Sequence, residues 1–149
     1  MAEIEELYQE IILEHNKRPR NFGPLAGATH MADGLNPLCG DELKIALQLE
    51  EGRIAALRFE GQGCAISKAS ASMMSEAVDG KSVEEARQIA DKVLGAFQPG
   101  GTELVLEEDG EIAALLGVRK FPARIKCATL AWHALVCALE GKRAVSTEN

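Results

Sequence analysis

The sequence lacks the features that would assign it to several common functional classes. Its 23 acidic residues outnumber 16 basic ones, and the net charge of −7 argues against non-specific nucleic-acid binding, which needs a basic face. No run of eighteen apolar residues is present, and the first residues are acidic rather than the basic start of a secretory signal. We therefore expect a cytoplasmic protein without nucleic-acid or membrane partners, whose acidic surface suits protein partners with basic patches.

Cysteine is scarce, and its spacing is unlike that of the common metal motifs. The 149 residues contain four cysteines, and no two of them form a Cys-x-x-Cys pair. Four cysteines in a chain without a secretory signal argue against a disulfide framework and favour metal binding or catalysis. The length and a hydrophobic content of 46% predict a single domain over residues 1–149 with a substantial core.

Alternating apolar residues predict a small sheet. Residues 29–34 form a short candidate strand, and the alternation over residues 43–50 is typical of a half-buried strand. A hairpin turn then leads into a return strand that ends near residue 60. Antiparallel pairing of 43–50 with 53–60 would bring the Cys39 end of the first strand beside the Cys64 end of the second.

Helical periodicity predicts several helices around this sheet. They cover residues 3–15, residues 64–78, a segment that follows a capping box at Ser82, and residues 123–140. The last of these has little polar surface and should be the most buried, while the tail from Gly141 should fray. Together these elements predict an α+β fold with a small antiparallel three-stranded sheet packed by helices on one face.

Three cysteines lie in settings that favour metal binding. Cys39 precedes Asp41 by two residues, and the intervening Gly40 permits the tight backbone that would turn both side chains towards one ion. Cys64 opens a helix, and Cys127 lies in the first turn of another, where the helix dipole favours a thiolate. Thiolates and a carboxylate satisfy tetrahedral zinc, and thiolates also suit iron–sulfur clusters. We predict a four-ligand site of Cys39, Asp41, Cys64 and Cys127.

Charge and spacing separate this site from the other cysteine. Arg124 and Lys126 flank Cys127 and would offset the charge of about −2 that three thiolates and a carboxylate leave around a divalent ion. Cys137 lies roughly 15 Å further along the same helix, so we expect it in the core. The alternative for any single cysteine is that it is an ordinary small core residue.

The histidines are weaker ligand candidates than the cysteines. His133 lies six residues after Cys127, roughly 9 Å along the helix axis, which is too far for a shared ion. His15 and His30 fall in a helix end and a loop, where we expect solvated side chains.

Three segments in order resemble the cysteine motifs of the NifU N-terminal/IscU family of iron–sulfur cluster assembly proteins. They are Asn36-Pro37-Leu38-Cys39-Gly40-Asp41, Gly63-Cys64-Ala65-Ile66-Ser67 and Lys126-Cys127. The resemblance covers nearly the whole chain and implies the SufE/NifU-like fold. Within the family the chain is similar to the SufU branch. Lys126 stands where IscU-type proteins carry a histidine, and the chaperone-binding Leu-Pro-Pro-Val-Lys segment of those proteins is absent.

The resemblance implies a zinc-dependent sulfurtransferase that supplies sulfur for iron–sulfur cluster biogenesis. Zinc would be held by Cys39, Asp41, Cys64 and Cys127. Cys39 would be displaced from the metal when a SufS-type, pyridoxal-phosphate-dependent cysteine desulfurase docks, and would accept the persulfide sulfur for the downstream Suf machinery. Arg124 and Lys126 would support this site by their charge. Such a protein is a co-substrate of the desulfurase rather than a stand-alone enzyme.

Two alternatives remain. The first is a scaffold on which a [2Fe-2S] or [4Fe-4S] cluster is assembled on Cys39, Cys64 and Cys127, with iron in place of zinc. The second is a structural zinc-binding domain that only mediates an interaction, for which the site should be closed.

Overall fold

The computed structural model describes residues 2–101 and 103–147, with side chains from residue 4 onwards. A four-stranded sheet and five α-helices follow one another along this part of the chain, with two 3₁₀ segments between α4 and α5. In order, the elements are α1 Ala2–Lys17, β1 His30–Asn36, β2 Asp41–Glu50, β3 Arg53–Gln62, α2 Ala65–Val78, α3 Val83–Ala96, α4 Leu106–Asp109, the first 3₁₀ segment Gly110–Lys120, the second 3₁₀ segment Pro122–Arg124, α5 Ile125–Leu139 and β4 Ala144–Ser146.

The sheet has the strand order β3-β2-β1-β4. Strands β1 and β2 pair antiparallel, as do β2 and β3, so the predicted hairpin is confirmed. The expected three-stranded sheet is wrong, because β4 pairs parallel with β1. We expected the tail from Gly141 to fray, but its described part, residues 141–147, is held by two backbone bonds to β1; residues 148–149 lie outside the described residues. Asp33 N–H donates to the Arg143 carbonyl at 2.8 Å, and Thr147 N–H donates to the Leu35 carbonyl at 3.0 Å.

Helices α2 and α5 pack on the sheet and form the centre of the core. Alternation along β2 places Leu43, Ile45 and Leu47 in the interior, where they meet the apolar surface of α5. Helix α5 is the most buried helix, as its sequence predicts, and its Trp132 is fully buried. The indole Nε1–H of Trp132 donates to Ser70 Oγ at 3.0 Å, which satisfies the ring's only polar group and ties α5 to α2.

His15 is not the solvated side chain that its position at a helix end suggests. It is fully buried, with Nδ1 2.7 Å from Ser72 Oγ and Nε2 2.9 Å from Glu111 Oε1. The ring therefore ties α1 to α2 and to the first 3₁₀ segment. Glu76 also approaches Nε2, at 3.8 Å, so three possible metal ligands meet here. Both ring nitrogens already have hydrogen-bond partners, so burial of the ring requires no ion.

One further expectation from the sequence needs correction. His30 is the first residue of β1 and is half-buried, with Nδ1 2.9 Å from the Thr29 hydroxyl, rather than lying in a loop. Before α5, Gly110–Lys120 forms a 3₁₀ segment of 11 residues that buries apolar side chains including Leu115. Within residues 2–101 and 103–147, no helix is both long enough and apolar enough to cross a membrane.

Candidate metal centre

The strand registers bring the predicted ligand segments to one end of the sheet. Asn36 pairs with Asp41 across β1 and β2, so the turn that contains Cys39 lies at this end. Glu42 pairs with Gln62 across β2 and β3, which places Cys64 next to the same turn. The N-terminus of α5 also reaches this end of the sheet, because Asn36 in β1 contacts Cys127.

The structure groups three of the four predicted ligands tightly. The Sγ atoms of Cys39 and Cys127 and a carboxylate oxygen of Asp41 all lie within 4.8 Å of one another. Sulfur ligands of tetrahedral zinc lie about 3.8 Å apart when each Zn–S bond is near 2.3 Å, so this spacing suits a single ion. Cys64 lies beside the group, since its thiol interacts with Cys127 and its backbone contacts Asp41. That these four residues bind one ion stays a prediction.

Asp41 is held firmly at both carboxylate oxygens. The backbone N–H of Cys64 donates to Oδ1 at 2.9 Å, and Asn36 Nδ2 donates to Oδ2 at 2.9 Å. The carboxylate is 1% exposed, so these bonds replace the water that it loses on folding. Gly63 makes room for it, because a Cβ at that position would lie 2.5 Å from Asp41 Oδ1. The aspartate is therefore positioned before any ion binds.

Cys127 is the deeply buried thiol of the group. Burial raises the pKa of the Cys127 thiol well above its ordinary value, and the neighbouring Cys39, Asp41 and Cys64 side chains raise it further. Asn36 Nδ2 approaches Cys127 Sγ at 3.4 Å and is its hydrogen-bond donor. A buried thiol among other acidic groups ionises readily only beside a cation, which is the condition that a bound metal provides.

Cys64 occupies the N-cap of α2, as the sequence predicts. Its Sγ accepts a hydrogen bond from the Ser67 backbone N–H at 3.4 Å, in the place where serine or aspartate usually caps a helix. Unpaired N–H groups at a helix start favour a negatively charged sulfur.

Cys39 is the least constrained of the three thiols. It is half-buried in the turn between β1 and β2 and is followed by Gly40, whose φ of +71° lies in the left-handed region. Arg124 Nη1 approaches its Sγ at 3.7 Å. The exposed guanidinium also faces the other thiols. A hydrogen bond to Cys127 and the charges of Cys39 and Cys64 raise the pKa of Arg124.

Lys126, the second predicted cation, is placed less favourably than Arg124. It is exposed on α5, and across the described part of the chain no hydrogen bond or ion pair joins it to a thiol. Cys137 is 4% exposed and packs in the core, which confirms its assignment as a core residue. His133 is exposed on α5 and lies outside the ligand group.

Asn36 and Thr147 are the residues of this site that sequence reasoning missed. Asn36 is fully buried and bonds to both Asp41 and Cys127. The Thr147 hydroxyl donates to Asn36 Oδ1 at 2.9 Å. Asn36 is the first residue of the Cys39 motif, and this position could have indicated that its side chain contacts the site. Nothing in the sequence around Thr147 could have indicated its role, because its contact with Asn36 depends on the pairing of β4 with β1.

Known proteins with similar sequences and structures carry names from iron–sulfur cluster assembly. The zinc-dependent sulfurtransferase SufU of Bacillus subtilis (strain 168) is 43% identical over 134 residues, which is 90% of this chain and 90% of that protein. The iron–sulfur cluster assembly scaffold protein IscU of Streptococcus pyogenes serotype M1 is 41% identical over 140 residues, covering 94% of this chain and 87% of that protein.

A crystal structure agrees with these relatives. A protein of Fervidobacterium islandicum AW-1, described as an iron–sulfur cluster assembly scaffold for the SUF system, superposes with a TM-score of 0.81 at 32% identity. The match covers 90% of this chain and 97% of that one. The profile of the NifU-like N terminal domain matches residues 7–128, which include Cys39, Cys64 and Cys127. On the motifs, the fold and these matches, the chain belongs to the NifU-like N-terminal domain family of iron–sulfur cluster assembly proteins.

Proposed function

We propose that this protein is a zinc-dependent sulfurtransferase of iron–sulfur cluster assembly, which accepts persulfide sulfur at Cys39 from a cysteine desulfurase. The observation that carries the proposal is the unequal anchoring of the grouped ligands. Asp41 is held at both oxygens and Cys127 is buried, whereas Cys39 is half-buried in a turn beside a left-handed glycine. A thiol that must meet a second protein has to be accessible and able to move. Cys64 is half-buried too, but its Sγ is bonded to the Ser67 N–H at the N-cap of α2, which leaves Cys39 as the less constrained accessible thiol. The name of the relative from Bacillus subtilis supports this choice.

The donor set fits zinc. Cys39, Asp41, Cys64 and Cys127 would hold the ion, and three sulfur atoms with one carboxylate are donors that zinc accepts. When bound, zinc keeps its cysteine ligands deprotonated at neutral pH and stabilises the closely packed negative charge. Arg124 lies at the open side of the group and would offset part of the excess charge.

The transfer step balances without an added oxidant or reductant. The Cys39 thiolate attacks the terminal sulfur of a persulfide on the donor protein, and a new S–S bond forms on Cys39. The S–S bond in the donor breaks, and the donor cysteine leaves as a thiolate that can take up a proton. Arg124, 3.7 Å from Cys39 Sγ, stabilises negative charge at the attacking sulfur and then on the transferred sulfur. Lys126 would act at longer range, on the approach of the donor.

The donor in this proposal is a cysteine desulfurase of the SufS type, a pyridoxal-phosphate enzyme, and the recipient is the downstream Suf cluster-assembly machinery. The acidic charge of −7 suits docking against a basic patch on such a partner. All four cysteines are free, which suits the reducing cytoplasm. Residues 1–149 would act as one domain, since the buried apolar residues of the described chain form one cluster.

Desulfurase assays with cysteine variants test the proposal. Cys39→Ala should abolish both stimulation of a SufS-type desulfurase and the mass increase of one sulfur atom after incubation with the desulfurase and cysteine. Cys137→Ala is the matched control, because it removes a thiol of the same chain from the core, and it should retain one zinc per chain and full sulfur acceptance. Full stimulation by the Cys39 variant would refute the assignment.

The two cations can be tested separately in the same assay. Arg124→Gln should slow sulfur transfer more than Lys126→Gln, because only Arg124 contacts a thiol of the site. Equal rates for both variants and for the unmodified protein would remove the cations from the proposal.

A scaffold is the second candidate, and the name of the relative from Streptococcus pyogenes favours it. The same three thiols could hold iron in a [2Fe-2S] or [4Fe-4S] cluster. Iron and sulfide in freshly purified protein, with visible charge-transfer absorption and little zinc, would support the scaffold. Zinc whose removal unfolds the protein, with no effect on any desulfurase, would support a structural zinc domain.

A further inference from the structure

The side-chain amide of Asn36 contacts two of the proposed ligands at once. Its Nδ2 group donates to Asp41 Oδ2 at 2.9 Å and to Cys127 Sγ at 3.4 Å. The two ligands belong to different elements, β2 and α5, and the amide is planar. The orientation of this one amide therefore sets the positions of both ligands.

The other polar atom of the amide, Oδ1, is satisfied by Thr147. Asn36 Oδ1 accepts a hydrogen bond from Thr147 Oγ1 at 2.9 Å, and the asparagine is fully buried. Without this hydroxyl a buried carbonyl oxygen would have no described partner, which is costly in a fold. With it, both Nδ2 hydrogens and Oδ1 are used, and a rotated amide would turn its oxygen towards the Asp41 carboxylate.

Backbone pairing brings Thr147 to this position. Its N–H donates to the Leu35 carbonyl at 3.0 Å, immediately after Ser146 pairs with Leu35 in the β1–β4 register. The strand is also tied at its start by the bond from Asp33 N–H to the Arg143 carbonyl. Thr147 is thus delivered by the fourth strand, which connects the C-terminal segment to the metal centre.

We propose that Thr147 is a positioning residue for the metal centre: its hydroxyl fixes the Asn36 amide and, through it, the Asp41 carboxylate and the Cys127 thiol. This inference rests on the proposed function, because it takes Asp41 and Cys127 as ligands of zinc. Groups that orient metal ligands by hydrogen bonds typically account for roughly 10–100-fold in metal affinity, and Thr147 is one step more remote than Asn36. We expect a loss near the lower end of that range for Thr147 and a larger one for Asn36.

The effect of each substitution on zinc affinity can be measured by competition with a chelator, using the full chain. Thr147→Val removes the hydroxyl but keeps the branched shape that suits a strand, and it should bind zinc roughly tenfold more weakly. Thr147→Ser retains the hydroxyl and should bind zinc like the unmodified protein. Thr29→Val is the matched control, because the Thr29 hydroxyl bonds to the backbone of Leu47 and Leu49 at the opposite end of the sheet. Its zinc affinity should not change.

Two further measurements separate positioning from a loss of general stability. In an Asn36→Ala background, Thr147→Val should have no additional effect on zinc affinity, since its path to the ligands is gone. The absorption spectrum of Co²⁺-loaded protein should change in Thr147→Val but not in Thr29→Val, because only the first alters ligand geometry. If Asn36→Ala does not fold, the zinc affinities of Thr147→Val, Thr147→Ser and Thr29→Val still test whether Thr147 positions the ligands.

The outcomes distinguish this inference from the proposed function. If the unmodified protein binds zinc and Thr147→Val matches Thr29→Val in affinity and spectrum, the inference is wrong and the proposed function stands. Additive losses from Asn36→Ala and Thr147→Val would also overturn it, because Thr147 would then act by another route. If the unmodified protein binds no zinc, the proposed function fails and this inference fails with it.

Discussion

Gly63 provides a sharp test of whether Asp41 is a metal ligand, because a single methyl group added there meets the carboxylate. In Gly63→Ala the new Cβ would lie 2.5 Å from Asp41 Oδ1, 3.1 Å from Cγ and 3.2 Å from Cβ. The oxygen would have to retreat by about half an ångström to reach even 3.0 Å, a distance that real contacts rarely undercut. The carboxylate cannot retreat without disturbing the donors that hold it.

The size of the effect follows from those donors. Movement of Asp41 weakens the bond from Cys64 N–H to Oδ1, the bond from Asn36 Nδ2 to Oδ2, or both. A group that orients a metal ligand by a hydrogen bond typically accounts for roughly 10–100-fold in metal affinity, so weakening either bond should weaken zinc binding by that order. The metal-free protein should lose stability as well, by about 1.5–3 kcal/mol if one of these bonds is lost, because they hold the buried carboxylate before an ion binds.

Gly61→Ala is the matched comparison, two residues earlier and inside β3. There the new Cβ would lie 2.0 Å from the backbone carbonyl oxygen of Glu42, and φ is +137°. That clash involves the sheet itself, so the free energy of unfolding of the metal-free protein should fall. Zinc titration and urea unfolding of both variants separate the two effects. Unchanged zinc affinity in a folded Gly63→Ala protein would show that Asp41 is not held there as a ligand.

Three further predictions concern stability and are checked by urea unfolding of the metal-free protein. His15→Ala should lower the free energy of unfolding by roughly 2–4 kcal/mol, because it leaves a cavity and removes the partner of Ser72; a loss below 1 kcal/mol, within the range of surface changes, would contradict the buried network. Burial opposes ionisation of Asp109, but bonds from Lys92 and the Val105 N–H outweigh it and hold the pKa of Asp109 below its ordinary value. The stabilisation that ionised Asp109 contributes is therefore complete above the unfolded-state pKa near 3.8, and it is lost as the pH falls through the lower folded value. Lys92→Met should make the free energy of unfolding depend less on pH in this range. The same pH dependence in both proteins would contradict this assignment. Gly95→Ala, in α3 with no atom within 4 Å of the new Cβ, should raise stability by up to about 1 kcal/mol, and a loss would mean that the position is not open.

Much of the fold could be predicted from the sequence because its signals are local. Alternating apolar and polar residues on both sides of a turn predict the hairpin between β2 and β3. The register of this hairpin brings the start of β2, near Cys39, beside the end of β3, near Cys64. The capping box at Ser82 and the helix start at Cys64 are likewise decided by neighbours a few residues away. Cys127 was placed correctly by the apolar pattern of α5.

The features that the sequence did not predict depend on distant partners. Strand β4 is three residues long and exists because β1 offers it an edge, so no alternation could reveal it. His15 is buried by Ser72 and Glu111, which lie 57 and 96 residues away. Thr147 and Asn36 are separated by 111 residues. Such contacts arise from tertiary packing, and a side chain's own surroundings in sequence do not report them.

The topology also supports Cys39 as the exchangeable thiol of the proposed function. Asp41 is the first residue of β2 and Cys127 lies in the most buried helix, so neither can move far without disturbing the sheet register or the core. Residues 37–40 form a turn between two antiparallel strands, held internally by the bond from Cys39 N–H to the Asn36 carbonyl at 3.3 Å. A turn of this kind can rearrange while the strands on either side stay paired. In the proposed function, sulfur delivery would therefore need only a local movement at Cys39, while the other proposed ligands and the Asn36 amide stay in place.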